Sequence, residues 1–325
     1  MYSDFAAFFP PLFSMALRLS IIGLLVLSGL AACTSEPGSE PRFNFVGSSR
    51  FTSNDRLLTT PGDTLTTRVT GDLRHTDDPL LQHYTITVDY TPKEENKEKQ
   101  LPQLVYFDTT FSSPNFNYQL TFGARTTSGY ERWKHTLTNA DGKAVSRSYL
   151  LTVRNADSLK PYHPYKVLLE AARRTSSRST LNARQGLVFP GFTVRANPAA
   201  QQQVDLIALP SNAGGIELAS PTDATVAAAA PFLNITTWPT RNATTIRQTS
   251  LTQAQFTALT KATDLVALYD SAKVGATPTR SGPLVKEKVL VFQTATGRTG
   301  AIYVEDVTNT TAFPRATLQV RVDKE

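Results

Sequence analysis

Tyr84-Thr-Ile-Thr-Val-Asp-Tyr90 is the stretch that decides the fold. Tyr84, Ile86, Val88 and Tyr90 alternate with Thr85, Thr87 and Asp89, so an extended backbone puts the apolar side chains on one face and the polar ones on the other. Aromatic and β-branched residues suit such a pleated, half-buried surface. The same period runs through Leu65, Thr67 and Val69, through Phe116, Tyr118, Leu120 and Phe122, and through Trp133, His135 and Leu137. After the turn Asn139-Ala-Asp-Gly142 it resumes with Val145, Tyr149, Leu151 and Val153. Stripes of this kind, divided by turn residues, predict an antiparallel immunoglobulin-like β-sandwich over residues 43–154. The charged run Lys93 to Gln100 is expected to be a solvated loop between strands.

Upstream the character changes. Ile21-Ile-Gly-Leu-Leu-Val-Leu-Ser-Gly-Leu30 is apolar but too short to span a bilayer, and it runs into Leu30-Ala-Ala-Cys33. Residues 1–32 are expected to be a lipoprotein signal peptide, with translation starting at Met1 or at Met15 next to Arg18. A cysteine directly behind small residues resembles a bacterial lipobox, whose thiol is acylated and becomes the first mature residue. Several acyl chains, at roughly 0.8 kcal/mol per buried methylene, would anchor the product durably. Thr34-Ser-Glu-Pro-Gly-Ser-Glu-Pro41 cannot bury apolar surface and is expected, within 33–42, to be a tether.

Cys33 is the only cysteine, so no disulfides are available and the cores must hold unaided. The formal charge of +6 is spread along the chain, and its densest cluster is Arg173, Arg174, Arg178 and Arg184. Without a nucleic-acid motif, and with an export leader, this charge excludes a nucleic-acid partner. A solvated basic loop, or attraction to anionic surface sugars, remains.

Residues 155–165, with Pro161 and Pro164, are expected to be a linker. Residues 166–325 show a mixed pattern and are expected to form an α+β module with a mostly antiparallel sheet. Its strand candidates are Lys166–Ala171, Gly186–Val194, Val204–Leu209, Gly215–Ala219, Lys288–Thr294, Ala301–Val307 and Ala316–Val322. A helix is expected from Ser220-Pro221 to about Ala230. Another follows the capping box Thr252-Gln-Ala-Gln255, with Phe256, Leu259, Val266 and Tyr269 on one face.

Nucleophile elbows, zinc motifs, phosphate loops and dinucleotide fingerprints are missing from the sequence. His75, His83, His135 and His163 lack ligand spacing, so neither metal nor cofactor is expected. Trp238-Pro239, followed by Thr240-Arg241-Asn242-Ala-Thr-Thr245, has two readings: a stacking platform with hydrogen-bonding neighbours, or a tryptophan closing a core with its indole N–H satisfied by a loop. Trp238, Arg241 and Asn242 are the candidate ligand-binding residues, because binding groups tend to sit on polar loops of this kind.

The combination resembles two-domain surface lipoproteins of Bacteroidota. The likeness is carried by the lipobox and by the hairpin Thr138-Asn-Ala-Asp-Gly-Lys143. It extends to Val204-Asp-Leu206, Leu218-Ala-Ser-Pro221, Trp238 with Asn242-Ala-Thr244, and Val291-Phe-Gln-Thr-Ala-Thr-Gly-Arg-Thr-Gly300. It implies an immunoglobulin-like domain after the lipid, then an α+β module, on the outer membrane of a bacterial envelope. Asp63-Thr64, Asp108-Thr109, Asp157-Ser158 and Asp270-Ser271, each before an apolar or small residue or a second Thr, resemble short O-glycosylation acceptors of exported proteins in that phylum. The expected function is a non-enzymatic binding or interaction module whose partners are the membrane, through lipidated Cys33, and envelope proteins or glycans. A glycan-binding accessory of a nutrient-uptake system is the alternative, and a hydrolase without a recognisable motif is a third.

Overall fold

The alternating stripes become the facing walls of a two-sheet sandwich. The computed structural model describes residues 40–58, 64–93, 102–154, 160–275, 277–309 and 312–324. The expected leader, Cys33, most of the tether and of the charged loop, and Ser158 lie outside the described residues. The first eight strands are β1 (Arg42–Phe45), β2 (Arg56–Leu58), β3 (Thr64–Asp72), β4 (Leu81–Pro92), β5 (Leu104–Ser113), β6 (Asn115–Gly123), β7 (Gly129–Asn139) and β8 (Ala144–Val153). One sheet has the order β1-β3-β6 and the other β2-β8-β7-β4-β5. All pairs are antiparallel except β2 with β8. This is the Greek-key order of an immunoglobulin-like sandwich. Leu65, Val69, Tyr84, Ile86, Val88, Trp133, Leu137, Tyr149, Leu151 and Val153 are all buried, on the faces their alternation predicts. At the β7–β8 hairpin, Gly142 turns at φ +78°, and the Lys143 amide donates to Asn139 Oδ1 at 2.9 Å.

The remaining strands are β9 (Tyr162–Glu170), β10 (Arg178–Asn182), β11 (Leu187–Pro190), β12 (Leu206–Pro210), β13 (Ile216–Ala219), β14 (Thr245–Gln248), β15 (Arg280–Pro283), β16 (Val289–Gln293), β17 (Thr299–Thr308) and β18 (Arg315–Asp323). They form two five-stranded antiparallel sheets, β11-β10-β12-β13-β15 and β14-β16-β17-β18-β9. Among the described residues five short α-helices accompany them, α1 (Gly191–Val194), α2 (Pro198–Gln201), α3 (Val226–Ala229), α4 (Gln253–Ala258) and α5 (Ala262–Ser271), with two single 3-10 turns at Pro231–Leu233 and Ile235–Thr237. The chain is mainly β.

Period two sorts the side chains of these inner strands between separate cores. Leu206 and Ala208 of β12 join Leu290, Phe292, Ile302 and Leu318 in the core between the two sheets. Ile207 and Leu209, one residue out of phase, face Val194, Ala200, Val226, Leu233 and Trp238. That cluster continues without a break into Tyr106, Phe122 and Trp133 of the sandwich. On the far side Val289 and Val291 of β16 pack against Phe256, Leu265 and Tyr269 of α4 and α5. Strands buried on both faces read as continuous apolar runs, as Leu206-Ile-Ala-Leu209 does.

The strand expectations in this half hold within a few residues except at Gly186–Val194, where the strand ends at Pro190 and Gly191–Val194 turn into α1; β10, β14 and β15 are additional. Residues 162–165, assigned to the linker because of their prolines, instead open β9. The strand lies at the edge of its sheet, and Pro164 sits opposite Arg321, where a missing N–H costs no ladder bond. The alanine-rich helix shrinks to α3. The capping box at Thr252 is formed as expected, but the helix stops at Leu259. There Asp264 Oδ2 accepts from the amides of Thr260 and Lys261, starting α5 afresh. The break shifts the helical phase, so Leu265 is buried and Val266 is exposed.

Candidate functional site

The site is built where the sandwich meets the second half. Arg125 and Thr126 follow β6, and the turn between β10 and β11 closes on them. The Thr126 amide and hydroxyl both donate to the Gln185 carbonyl, at 3.0 and 2.9 Å. Gly186 has φ +57°, and a Cβ there would lie 1.9 Å from Thr126 Oγ1, so only glycine lets the turn approach this closely. Arg125 is buried and pairs with buried Glu131 at 2.7 Å, while its Nε donates to Gln185 Oε1 at 2.8 Å. Farther along, α1 and α2 cap the outer edge of β5. Thr193 Oγ1 donates to the Tyr106 carbonyl at 2.7 Å and Asn197 Nδ2 to the Val105 carbonyl at 2.6 Å.

Beside this junction opens a cleft of about 280 Å³, lined almost wholly by polar residues. Its walls come from Arg125, from Asn182, Arg184 and Gln185, from Gln202, Gln203 and Asp205, from Asn242, and from the β16–β17 hairpin through Thr294, Thr296 and Arg298. All its lining residues except Pro102 and Arg125 belong to the second half. Its volume sits at the small end of ligand sites, and its lining holds amide, hydroxyl and guanidinium groups in place of aromatic rings.

Asp205 is the one carboxylate in that lining. Its Oδ2 accepts from the Ala183 amide at 2.8 Å, and burial pushes its pKa up to about 6. Asn242 Nδ2 donates to the carbonyls of Gln202 and Val204, at 2.9 and 2.8 Å, which ties the loop before β14 to the loop before β12. Arg298 is held by its own hairpin. Its amide donates to Thr294 Oγ1 at 3.1 Å, and the Thr294 amide donates to its carbonyl at 2.9 Å. Arg298 Nη1 is sheltered from solvent and has no hydrogen-bond partner. Arg184 is exposed at the rim.

The residues expected from sequence to bind ligand divide. Asn242 lines the cleft; Arg241 is exposed outside its lining. Trp238 takes the second of its two readings: it is 5% exposed, and its indole donates to the Leu233 carbonyl at 2.9 Å. It closes a core and offers no platform. Of the basic cluster, Arg184 reaches the cleft, Arg178 pairs with Glu170, and Arg174 stacks on Phe313.

Among the glycosylation candidates, Thr64 is exposed and its hydroxyl accepts from Arg178. Thr109 is half-buried on β5, beside Asp108, which pairs with His83. Ser271 is exposed, its hydroxyl donating to the Leu268 carbonyl. Among the described residues no cluster of histidine, cysteine or carboxylate side chains has metal-holding geometry. His135 and His163 are buried, His135 bonding Tyr84 and His163 bonding Thr126. No described helix is long and apolar enough to cross a membrane.

No family model matches the chain, and no curated protein matches it. Among solved structures, a DUF4466 family protein from Parabacteroides merdae aligns over 89% of this chain and 100% of its own, at 11% identity and TM-score 0.36. The superoxide reductase (neelaredoxin) of Ignicoccus hospitalis aligns over 38% and 88%, at 8% identity and TM-score 0.22. The sporulation control protein Spo0M of Bacillus subtilis aligns over 55% and 78%, at 12% identity and TM-score 0.23. Likeness at these scores assigns neither family nor activity to this chain.

Proposed function

We infer that the chain is a lipid-anchored envelope protein of the Bacteroidota two-domain type, a non-enzymatic binding module that takes a small polar ligand in the cleft beside Arg125. The observation that carries this reading is the convergence of three separate short motifs on one cavity. Asp205 comes from Val204-Asp-Leu206, Asn242 from Asn242-Ala-Thr244, and Thr294, Thr296 and Arg298 from the segment ending at Gly300. Donor and acceptor side chains from distant loops, placed on rigid sheets, are what a binding site needs. The sandwich acts as a spacer on the lipid side and contributes one wall. The outer membrane, reached through acylated Cys33, is the proposed location.

The glycan-uptake alternative loses its platform with the burial of Trp238, but sugars held by hydrogen bonds alone remain within the same reading. The test is a thermal-shift screen of the full-length protein in mild detergent against monosaccharides, sugar acids, amino acids and nucleotides, repeated with Asn242→Ala and Gln203→Ala. A ligand that stabilises the parent protein and loses its effect in both variants supports the cleft. A stabilising ligand indifferent to both variants refutes it.

A further inference from the structure

We propose that the cleft recognises its ligand through an oxyanion, a carboxylate or a phosphate on a hydroxylated skeleton, seated on Arg298. The inference rests on the reading of the cleft as the binding site and names the chemistry that site accepts.

Arg298 is positioned before any ligand arrives. The hairpin bonds between Thr294 and Arg298, with Gly297 at φ +84°, fix the backbone from which the guanidinium projects. The guanidinium is permanently charged, and its N–H groups form a planar fork that matches two oxygens of a carboxylate or phosphate. Here one of those nitrogens, Nη1, is closed off from water and bonded to nothing. A sheltered cationic donor without an acceptor is costly, because it has given up its hydration without replacement. An oxyanion in the cleft supplies the missing acceptor once the guanidinium turns Nη1 out of its shelter.

The balance of charge around the cleft is positive. Arg125 is neutralised by Glu131. Arg184 and Arg298 form no ion pair among the described residues, and Asp205 is the only carboxylate facing them from the lining. Gln202, Gln203, Asn182 and Thr296 add neutral donors and acceptors, the groups that pair with hydroxyls. With no aromatic ring for a sugar to stack on, the charged contact must carry the affinity.

Isothermal titration of the full-length protein in mild detergent with D-glucuronate, D-glucose 6-phosphate and D-glucose tests this. The first two carry the oxyanion as carboxylate or phosphate, and the third is the same skeleton uncharged. At least one anion is expected to bind with glucose at least about tenfold weaker, and the preferred anion identifies the group. Arg298→Gln should weaken that anion by at least about tenfold, Arg298→Lys by less, and added salt should weaken it further. Arg184→Gln, at an exposed position, supplies a variant whose folding is not in question, and circular dichroism controls for the fold of the others. Glucose binding as tightly as the anions, with loss in Asn242→Ala, overturns the oxyanion while the cleft stands. Anion binding unchanged in folded Arg298→Gln and in Asn242→Ala overturns both. No binding by any of the three overturns the oxyanion proposal.

Discussion

Arg125 and Glu131 form a buried ion pair, Nη1 to Oε1 at 2.7 Å, at the seam between the sandwich and the second half. Both carboxylate oxygens of Glu131, and Nη1 and Nε of Arg125, have partners. Glu131 Oε2 accepts from the Trp133 indole at 3.1 Å, Arg125 Nε donates to Gln185, and the guanidinium lies 4.4 Å over the Tyr90 ring. A cleft wall is thereby fixed to the sandwich core.

Glu131→Ala should therefore destabilise the protein by about 3–5 kcal/mol, because it strands a buried guanidinium and an indole N–H. Denaturant unfolding measures this. A loss below about 1 kcal/mol, the range of a surface pair, would mean the seam is wetter than the geometry indicates.

His135 should make the sandwich acid-sensitive. It is buried, its Nδ1 bonds the Tyr84 hydroxyl at 2.7 Å, and burial lowers its pKa to about 3. The unfolded chain takes up a proton near pH 6.5 that the folded chain refuses until about pH 3, so stability falls progressively as pH drops through that window. The double variant Tyr84→Phe/His135→Phe, which removes both polar partners, should flatten the melting temperature between about pH 6.5 and 4 relative to the parent. Parallel curves for the two proteins would refute the assignment.

Asp205 should act in the opposite direction. Its folded pKa, about 6, lies above the ordinary 3.8, so the charged form is disfavoured by folding. The cost is present in full above pH 6 and disappears below about pH 4. Asp205→Asn keeps an oxygen for the Ala183 amide. It should raise the melting temperature at neutral pH, with the gain vanishing as pH falls to 4. A variant that melts lower at pH 8 than at pH 4, relative to the parent, would contradict the sign.

How far these features were legible varied with the kind of residue. The sandwich was plain because its burial follows a simple period, and Leu65, Tyr84 and Trp133 lie on the faces their spacing gives. Glu131 was on the same stripe as Trp133, His135 and Leu137, and a charge in phase with a core stripe was the available clue to its buried partner. Pro164 misled, because a proline interrupts a strand only where its N–H is needed, and edge position is a property of the finished sheet. The cleft was hardest. Its residues are scattered from Pro102 to Arg298 and meet only through sheet packing, so Asn242 was found and Arg298 appeared only as part of a hairpin.

Cys33→Ser should move the protein from the membrane fraction to the soluble envelope extract, because no second acylation site exists in the sequence. Fractionation after a high-salt wash decides this. Continued sedimentation with membranes would refute the lipid anchor.

The most direct test of the binding account is a crystallographic difference map of the protein soaked in D-glucuronate. The account predicts density for one ligand in the cleft, its carboxylate against Arg298 and its hydroxyls within reach of Asn242 and Gln203. A cleft left empty at saturating concentration, or density only at another surface, would contradict it.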